Sequence, residues 1–529
     1  MRLLLLAALL PVPAVAQLAP VGVPRGHLRI ELTGALDGFD QRYFGGAVEE
    51  LGADLASPAL GSNRIPSLTG ADERLARITG DPSTHISLGG FPATADASRT
   101  IGVVGLAMGL SSRITVFARL PVMRTRITLA TPFDSTSGAA GVNPADPLLG
   151  TTAGAAQTSG FLAAFDAALG QLQQRLSAGS YNGDPGQRAL AEATLADGTA
   201  LRDDLGGLLA DPATAAPFLP TGTSAAGAAV TGRIQTLQTT LDTQLGVAGF
   251  DELPALPEQR VSQDQLTAFL TDQSGPIAGR LDEGRFSQRG DAEAGLTLTL
   301  LDRWRHDARG IGVRAAVTAT GRLPTGFRER PIRFLDLGTG TGHSAAELTL
   351  TTDVGVGRLG ARLIGSYERT FAADYVARVT AAEQPFAPST ALRTVRAEPG
   401  DAVFLSAQPF LRVAPPIAVT VGVSYWRRAE GTVVYATAAD SIAGVPASIL
   451  ARDSRVSATV FRAGVTYAAA GAQAPGGRGL PLEASWTYER VVGASGGRVP
   501  KLNRLRADVR LYVRVWGGRG REKAGEEGP

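Results

Sequence analysis

The segment from Leu505 to Val515 constrains the fold more than any other part of the chain. Its odd positions carry leucine, alanine and valine, whereas its even positions carry three arginines, an aspartate and a tyrosine. A period of two predicts a β-strand with one apolar face and one charged face. A soluble core would not accept such a charged face, but a barrel wall with lipid outside and a wet lumen inside accepts both faces. The segment therefore predicts a transmembrane β-barrel.

The same alternation recurs along the chain and predicts an all-β transmembrane barrel of about twelve antiparallel strands. In the tenth segment the alternation slips phase near Arg462, which predicts a β-bulge there. Residues 35–98 have weak periodicity and are predicted to form a loop. The predicted strands are 27–33, 101–110, 114–129, 294–301, 311–323, 346–356, 359–371, 403–413, 417–426, 456–467, 482–491 and 505–515.

The lengths of the connections give an independent test of this interpretation. Connections that follow odd-numbered strands are mostly long, and those that follow even-numbered strands are short, as at Ser111-Ser112 and Gly357-Arg358. Bacterial barrels have an even strand number, short periplasmic turns and long outer loops. The pattern therefore predicts that both chain ends lie in the periplasm.

Residues 131–290 interrupt the strand pattern. Apolar residues recur at every third or fourth position from Phe161 to Leu176 and again from Ile234 to Leu245. This spacing is typical of amphipathic helices and predicts an insertion of three or four helices between strands 3 and 4. The alternative is an Ala/Gly-rich loop with transient helices.

The first sixteen residues are predicted to be a cleaved signal peptide. A single arginine, a short leucine-rich run and Ala14-Val15-Ala16 fit that class, and the alternative is a buried N-terminal core segment. We therefore expect a location in the outer membrane of a diderm bacterium, with membrane lipid, barrel-assembly machinery and periplasmic chaperones as partners. The predicted division is 1–16 signal peptide, 17–130 first strands and a long outer loop, 131–290 Ala/Gly/Pro-rich helical insertion, 291–516 main barrel strands, and 517–529 polar tail.

Composition narrows the remaining classes of function. The chain has no cysteine, which excludes disulfides and thiolate metal sites, and its net charge of +2 predicts no nucleic-acid partner. The four histidines are far apart in sequence, so we expect no metal site and no cofactor.

Charged and aromatic residues on the polar faces of the predicted strands are the candidate functional set. They either line a path for a solute or pair across neighbouring strands and stiffen the wall. The lumen-lining candidates are Arg314, Glu347, Asp353, Arg362, Glu368, Phe404, Phe410, Glu483, Glu489, Arg506, Asp508, Arg510 and Arg514.

Two short motifs suggest enzymes but lack the required context. The glycine-rich run Leu335–Gly342 is similar to the first motif of Rossmann-like methyltransferases, yet the segment after it alternates with period two rather than 3.6. The sequence around Ser344 approaches a lipase elbow but lacks its last glycine. We predict no enzymatic activity and keep a barrel-borne hydrolase as a remote alternative.

Two short motifs carry a resemblance to a known family: Gly109–Val116 with Leu120-Pro121, and Pro324-Thr325-Gly326 leading to Leu337–Gly340. On these motifs the chain resembles, from Ile101 to Trp516, outer-membrane transporter-like barrels, including the family named after phenol meta-pathway (MetA-type) proteins. The resemblance implies a passive channel or uptake protein for small, possibly hydrophobic, solutes. The alternative is a non-conducting surface barrel that anchors a helical and loop module for interactions.

Overall fold

The computed structural model describes residues 21–211, 213–304, 310–414, 416–468 and 482–516. The predicted signal peptide and polar tail lie outside these residues. No helix within the described residues is both long enough and apolar enough to cross a membrane.

Twelve antiparallel strands form one closed barrel in which each strand pairs with its neighbours in the chain and the last pairs with the first. This arrangement confirms the predicted fold class. A short strand, Gly284–Arg289, pairs with the upper part of the third strand. The barrel strands are β1 His27–Phe39, β2 Thr94–Gly109, β3 Ile114–Ala130, β4 Ala292–Arg303, β5 Ile311–Leu323, β6 Ala345–Val356, β7 Leu359–Thr370, β8 Ala402–Ala414, β9 Ile417–Arg428, β10 Val456–Ala468, β11 Leu482–Gly496 and β12 Asn503–Arg514.

The outward face of the barrel carries a belt of exposed aliphatic side chains. On β6, the outward residues Leu348 and Leu350 are 55% and 49% exposed, whereas the next residue, Thr351, faces inward and is buried. All the strands contribute to this belt, which would be an extreme apolar surface for a protein in water. Hydrocarbon outside the wall accounts for this apolar surface. Each barrel strand is long enough to cross a membrane, since about ten residues suffice.

The predicted loop 35–98 is more ordered than its sequence indicated. β1 continues to Phe39, β2 already begins at Thr94, and a helix, α1, spans Thr69–Thr79. The prediction was wrong here because the alternation of apolar outward and polar inward residues is reversed in this part of the strand. In β2, Asp96 and Ser98 face outward and small apolar residues face inward. The remaining strands of the segment are Gln41–Phe44, Ala47–Glu50, Ser57–Leu60 and Gly89–Phe91.

Four helices lie between β3 and β4, as predicted. Phe161 and Phe165 of the first helix are fully buried and contact Phe250, with ring centroids 5.9 and 4.6 Å away. Side chains at Thr151, Asp184, Ser224 and Ser262 cap the four N-termini, which satisfies backbone donors that a helix leaves unpaired. The helices are α2 Thr152–Ser177, α3 Pro185–Leu209, α4 Ala225–Thr239, continued by a π-turn at Thr240–Gln244, and α5 Gln263–Thr271.

The helices and the upper half of the barrel share one apolar core. Val456, Ala458 and Val460 on the inward face of β10 belong to the same buried cluster as α1 to α5. This explains the apparent phase slip near Arg462, and a register shift does lie close to that residue, although its extra residue is on the partner strand. The inward alternation of β10 is unbroken, and the register shift lies at Thr459/Val460, where β11 has one extra residue.

A second, smaller sheet lies outside the mouth opposite the chain ends, and we name this mouth extracellular, and the other end periplasmic, after the predicted orientation. Its strands Ala373–Arg378, Leu392–Glu398 and Thr432–Tyr435 enclose a separate small core that includes Val395 and Ala451. The other short elements are strands Ala140–Val142, Phe218–Pro220 and Val499–Pro500, and 3-10 helices Pro66–Leu68, Ser135–Ser137, Ser389–Ala391, Ala438–Asp440 and Ala447–Ala451.

Candidate functional site

Buried charges of alternating sign form a ladder across five adjacent strands of the lumen. From β10 to β2 the members are Arg462, Glu489, Arg504, Asp37 and Arg99, and each is directly opposite the next in the strand register. The closest N–O distances along the ladder are 2.8, 3.7, 2.6 and 2.6 Å. Every member is paired, so the ladder satisfies the condition under which charges can be buried.

A second ladder lies closer to the chain ends. Glu483, Arg510 and Glu31 are directly opposite one another on β11, β12 and β1. Glu31 then reaches past β2 to Arg119 on β3, 3.1 Å away. A side chain at Gly105 would approach both partners to 3.1–3.3 Å, so the glycine leaves the space in which this ion pair forms.

On the opposite wall, Glu368 of β7 binds two arginines from strands that are not its neighbours. Arg322 on β5 and Arg428 on β9 lie 2.9 and 2.8 Å from its carboxylate. In each case the strand between them presents an alanine, Ala345 or Ala402, to the lumen. Small residues therefore allow long cations to meet a shared carboxylate.

A third cluster lies near the periplasmic end of the same wall. Asp353 and Arg362 are directly opposite each other and form a buried two-pronged pair at 2.6 and 2.7 Å. Arg314 pairs with Asp302 at 3.3 Å and lies 4.7 Å from the ring of Trp304. The structure thus brings the predicted residues Arg314, Asp353 and Arg362 together.

Twelve of the thirteen predicted residues face the filled lumen, and Arg514 is the exception. It is exposed at the periplasmic end of β12, because the strand ends there and no wall encloses it. Phe404 lies in the large apolar core, whereas Phe410 packs over Gly360 beside Trp304. The other predicted positions are the members of the clusters described above, together with Glu347, which accepts a hydrogen bond from Thr349, and the adjacent pair Arg506 and Asp508.

Sequence reasoning missed lumen charges for two reasons. Glu31, Arg119, Arg322 and Arg462 lay within predicted strands but were not selected. The predicted strands were also too short at the extracellular end, so Asp37, Arg99, Arg428 and Arg504 fell outside or beyond them. If each predicted strand had been extended by two or four residues with the same alternation of inward and outward positions, these residues would have been identified.

The N-terminal segment enters the lumen from the periplasmic end. Val23 is buried against inward residues, among them Phe117 and Tyr512, and its backbone N–H donates to Thr115 Oγ1 at 2.8 Å. Gly22 lies so close to the wall that a side chain there would meet Thr299 Oγ1 at 2.8 Å. The backbone of the N-terminal segment, the ion pairs and the upper apolar core therefore occupy successive levels of the lumen.

An open cavity lies between the barrel mouth and the small outer sheet. Its walls include Val433 and Ala451 of the small core, and its floor includes two inward barrel residues, Arg428 and Val456. The Nε of the buried Arg428 has no hydrogen-bond partner within the described residues. Apolar walls with a few convergent polar groups are typical of small-molecule sites.

His343 lies at the edge of this cavity and is held in one tautomer. Arg328 Nη1 lies 2.9 Å from its Nε2, and its Nδ1 lies 3.0 Å from the carbonyl oxygen of Phe371. A guanidinium can only donate, so Nε2 accepts and Nδ1 carries the proton. Burial and the neighbouring Arg328 lower the pKa of His343 to about 4. The imidazole is therefore neutral near pH 7.

The glycine-rich run 335–342 is a loop packed on the barrel mouth. Its Asp336 accepts from Arg330 at 2.8 and 3.0 Å, and Thr341 N donates to Asp291 at 2.8 Å. β6 follows the loop, so neither the helix of a methyltransferase motif nor the helix of a lipase elbow at Ser344 is present there.

No family model and no curated protein matches the chain. Among solved structures, an outer membrane channel from Pseudomonas putida F1 is 11% identical with a TM-score of 0.40, covering 95% of this chain and 99% of that one. A FadL homologue from Pseudomonas aeruginosa is 8% identical (TM-score 0.26; 93% and 91% covered). The translocator domain of the autotransporter NalP from Neisseria meningitidis is also 8% identical (TM-score 0.27; 92% and 89% covered). These are similarities to outer-membrane barrels at a level that adds nothing to the fold established by the strand pairing.

Proposed function

We propose that the protein is an outer-membrane uptake barrel that takes a small, largely apolar solute from the extracellular side. The observation that carries this proposal is the cavity at the mouth, because its floor consists of residues that also face the lumen. A solute bound there would contact Arg428 directly, and Arg428 is part of the Glu368 cluster. Binding at the mouth and opening of the lumen would then act on the same side chains.

The solute class follows from the walls of the cavity. The aliphatic side chains of Val433, Leu450 and Val456 favour an apolar body, and Arg428 in the lining offers contact to a polar substituent. The phenol meta-pathway resemblance agrees with this class and remains a prediction at the level of the family. A solute that passes would meet the ion pairs and the N-terminal segment, because both lie in the lumen.

Uptake by intact cells that produce the protein tests the proposal. We expect cells with the wild-type barrel to take up a radiolabelled small aromatic alcohol faster than cells without it, and a disaccharide of larger polar area at an equal rate. Thr432→Trp places an indole at the rim of the cavity and should abolish the difference. Ala443→Trp, at an exposed position that does not line the cavity, is the matched control. Equal uptake with and without the protein would contradict the proposal.

A surface anchor is the second candidate, and the apolar core shared by the helices and the barrel favours it. An anchor needs no path, and the shared core fixes the helices rigidly to the barrel. The two candidates differ in the T432W experiment. An anchor predicts no uptake in either form, together with unchanged binding of any partner to α2 and α3.

A further inference from the structure

A group of arginines lies on the outward face of the wall directly above the aliphatic belt. On β3, Val122 is the last exposed aliphatic residue (51% exposed), and the next outward residues are Arg124 and Arg126. The short strand beside β3 adds Arg285 and Arg289, which are also exposed. We call these four residues the arginine patch. Outward residues on a strand are about 6.6 Å apart, so the patch begins where hydrocarbon gives way to headgroups.

The arginine patch is not neutralised by the protein. Arg285 is directly opposite Arg126, an arrangement of like charges that destabilises an antiparallel pair. Glu283 lies between them and binds both, at 2.7 Å from Arg126 and 3.1 Å from Arg285. Within the described residues, no carboxylate forms an ion pair with Arg124 or Arg289. Four cations and one anion leave an uncompensated positive charge at one point on the wall.

Another arginine at the outward rim has its own acidic partners. Arg369, two residues beyond the exposed Tyr367 on β7, binds both Glu398 and Asp401 of the outer loops. The fold is thus able to neutralise an arginine at this rim, and it does not do so at the arginine patch. The missing counter-charge there points to an anion supplied from outside the chain.

We propose that the arginine patch binds phosphate groups of phosphorylated lipid headgroups in the outer leaflet. The guanidinium group matches phosphate geometry with two parallel hydrogen bonds, and its weak hydration favours an interfacial position. Val122 and the belt below it would contact the acyl chains of the same lipid, which a free phosphate ion cannot exploit. The proposal rests on the membrane orientation assumed for the proposed function but does not depend on transport.

Lipid retention by the purified barrel tests the proposal. The detergent-solubilised full chain is mixed with phosphatidic acid or phosphatidylcholine of identical acyl chains, and bound lipid is counted by native mass spectrometry. We expect the wild type to prefer phosphatidic acid, and R124Q/R126Q to lose about tenfold in affinity for it. R188Q/R233Q removes two exposed arginines of α3 and α4 and is the charge-matched control.

Three outcomes would overturn the proposal: equal retention of both lipids, equal affinity in R124Q/R126Q and wild type, or an equal loss in the control. Complete displacement of lipid by excess inorganic phosphate would also overturn it, because the patch would then be a site for the free ion. Solute uptake by R124Q/R126Q separates this result from the proposed function. If R124Q/R126Q takes up solute at the wild-type rate but loses its preference for phosphatidic acid, both the lipid site and the proposed function are supported. If the wild-type protein prefers phosphatidic acid but takes up no solute, only the proposed function is contradicted.

Discussion

Along the wall from β10 to β2, the inward faces of the strands change character partway along their length. Near the membrane they carry arginines and carboxylates that pair with one another, as in the ladder that includes Asp37. Beyond the ladder they carry Val456 and Ala458 on β10 and Ala95 and Ala97 on β2, which pack in the core shared with the helices. Strand geometry is the same in both halves, so the difference reflects what fills the interior rather than how the backbone runs.

This comparison separates two ways of closing a lumen. The apolar half gains stability from burial that has no preferred partner, whereas the charged half depends on each group finding its counter-ion. Removing one side chain should therefore have different consequences in the two halves. The apolar half should lose packing, and the charged half should retain a buried charge without compensation.

The largest effect is expected where one carboxylate holds two cations. Asp37→Asn leaves Arg99 and Arg504 facing each other in the lumen, and should cost about 3–5 kcal/mol of unfolding free energy. Urea unfolding of the barrel in phospholipid vesicles, followed by tryptophan fluorescence, measures this. A loss of less than about 1 kcal/mol would mean that water reaches the ladder and screens it.

In the apolar region, Phe165→Ala removes a fully buried ring that contacts Phe250. It should cost about 3–5 kcal/mol, and the loss should fall on the helices. We expect faster proteolysis within α2 while the barrel keeps its heat-dependent gel mobility. Gln173→Ala, exposed on the same helix, is the control and should leave both readouts unchanged. Loss of barrel mobility in F165A would show that the two halves do not unfold separately.

Acid should destabilise the mouth through His343. Its pKa is lowered from 6.5 to about 4 in the folded protein, so between these values the unfolded chain binds the extra proton. The stabilisation is complete above pH 6.5 and is lost as pH falls towards 4, by up to about 3 kcal/mol. Unfolding midpoints measured from pH 7.5 to 4.5 should decline less steeply in H343Q than in wild type. A decline of the same steepness in H343Q, with the exposed His85→Gln as control, would contradict the assignment.

The smallest effect is expected from an exposed pair. Arg77 of α1 binds Asp204 of α3 at 2.6 Å, with 56% of the arginine side chain exposed. Solvent and salt screen such a pair, so Arg77→Gln should cost less than about 1 kcal/mol. Thermal unfolding at low and high salt measures it, and a loss as large as that of D37N would remove the distinction between buried and exposed pairs.

The sequence predicted the membrane-level strands well because lipid imposes a strict rule there. Leu348 and Leu350 must be apolar whatever their neighbours are, so their alternation is visible without the structure. Above the membrane that rule ends. α1 and the upper parts of β1 and β2 were missed because the barrel pattern does not hold there. Their inward residues pack against the apolar core of the helices, and their outward residues face water.

The site was only partly predictable for a related reason. Parity identifies which residues face the lumen, as it did for Glu483 and Arg510, but not which charges meet. The contacts of Glu368 with Arg322 and Arg428 cross an intervening strand and depend on Ala345 and Ala402 being small. The cavity lies between the barrel and a sheet formed from two separate loops, so no local pattern marks it.

The most direct test of the account is whether the two faces of one strand meet different solvents. The chain has no cysteine, so single cysteines can be placed along β6 from Ala346 to Val354 and labelled with a nitroxide. In vesicles, collision with oxygen should peak at every second position, including Leu348 and Leu350, and fall at Thr349 and Thr351. Equal accessibility of all positions to a water-soluble nickel complex would contradict a wall between lipid and lumen.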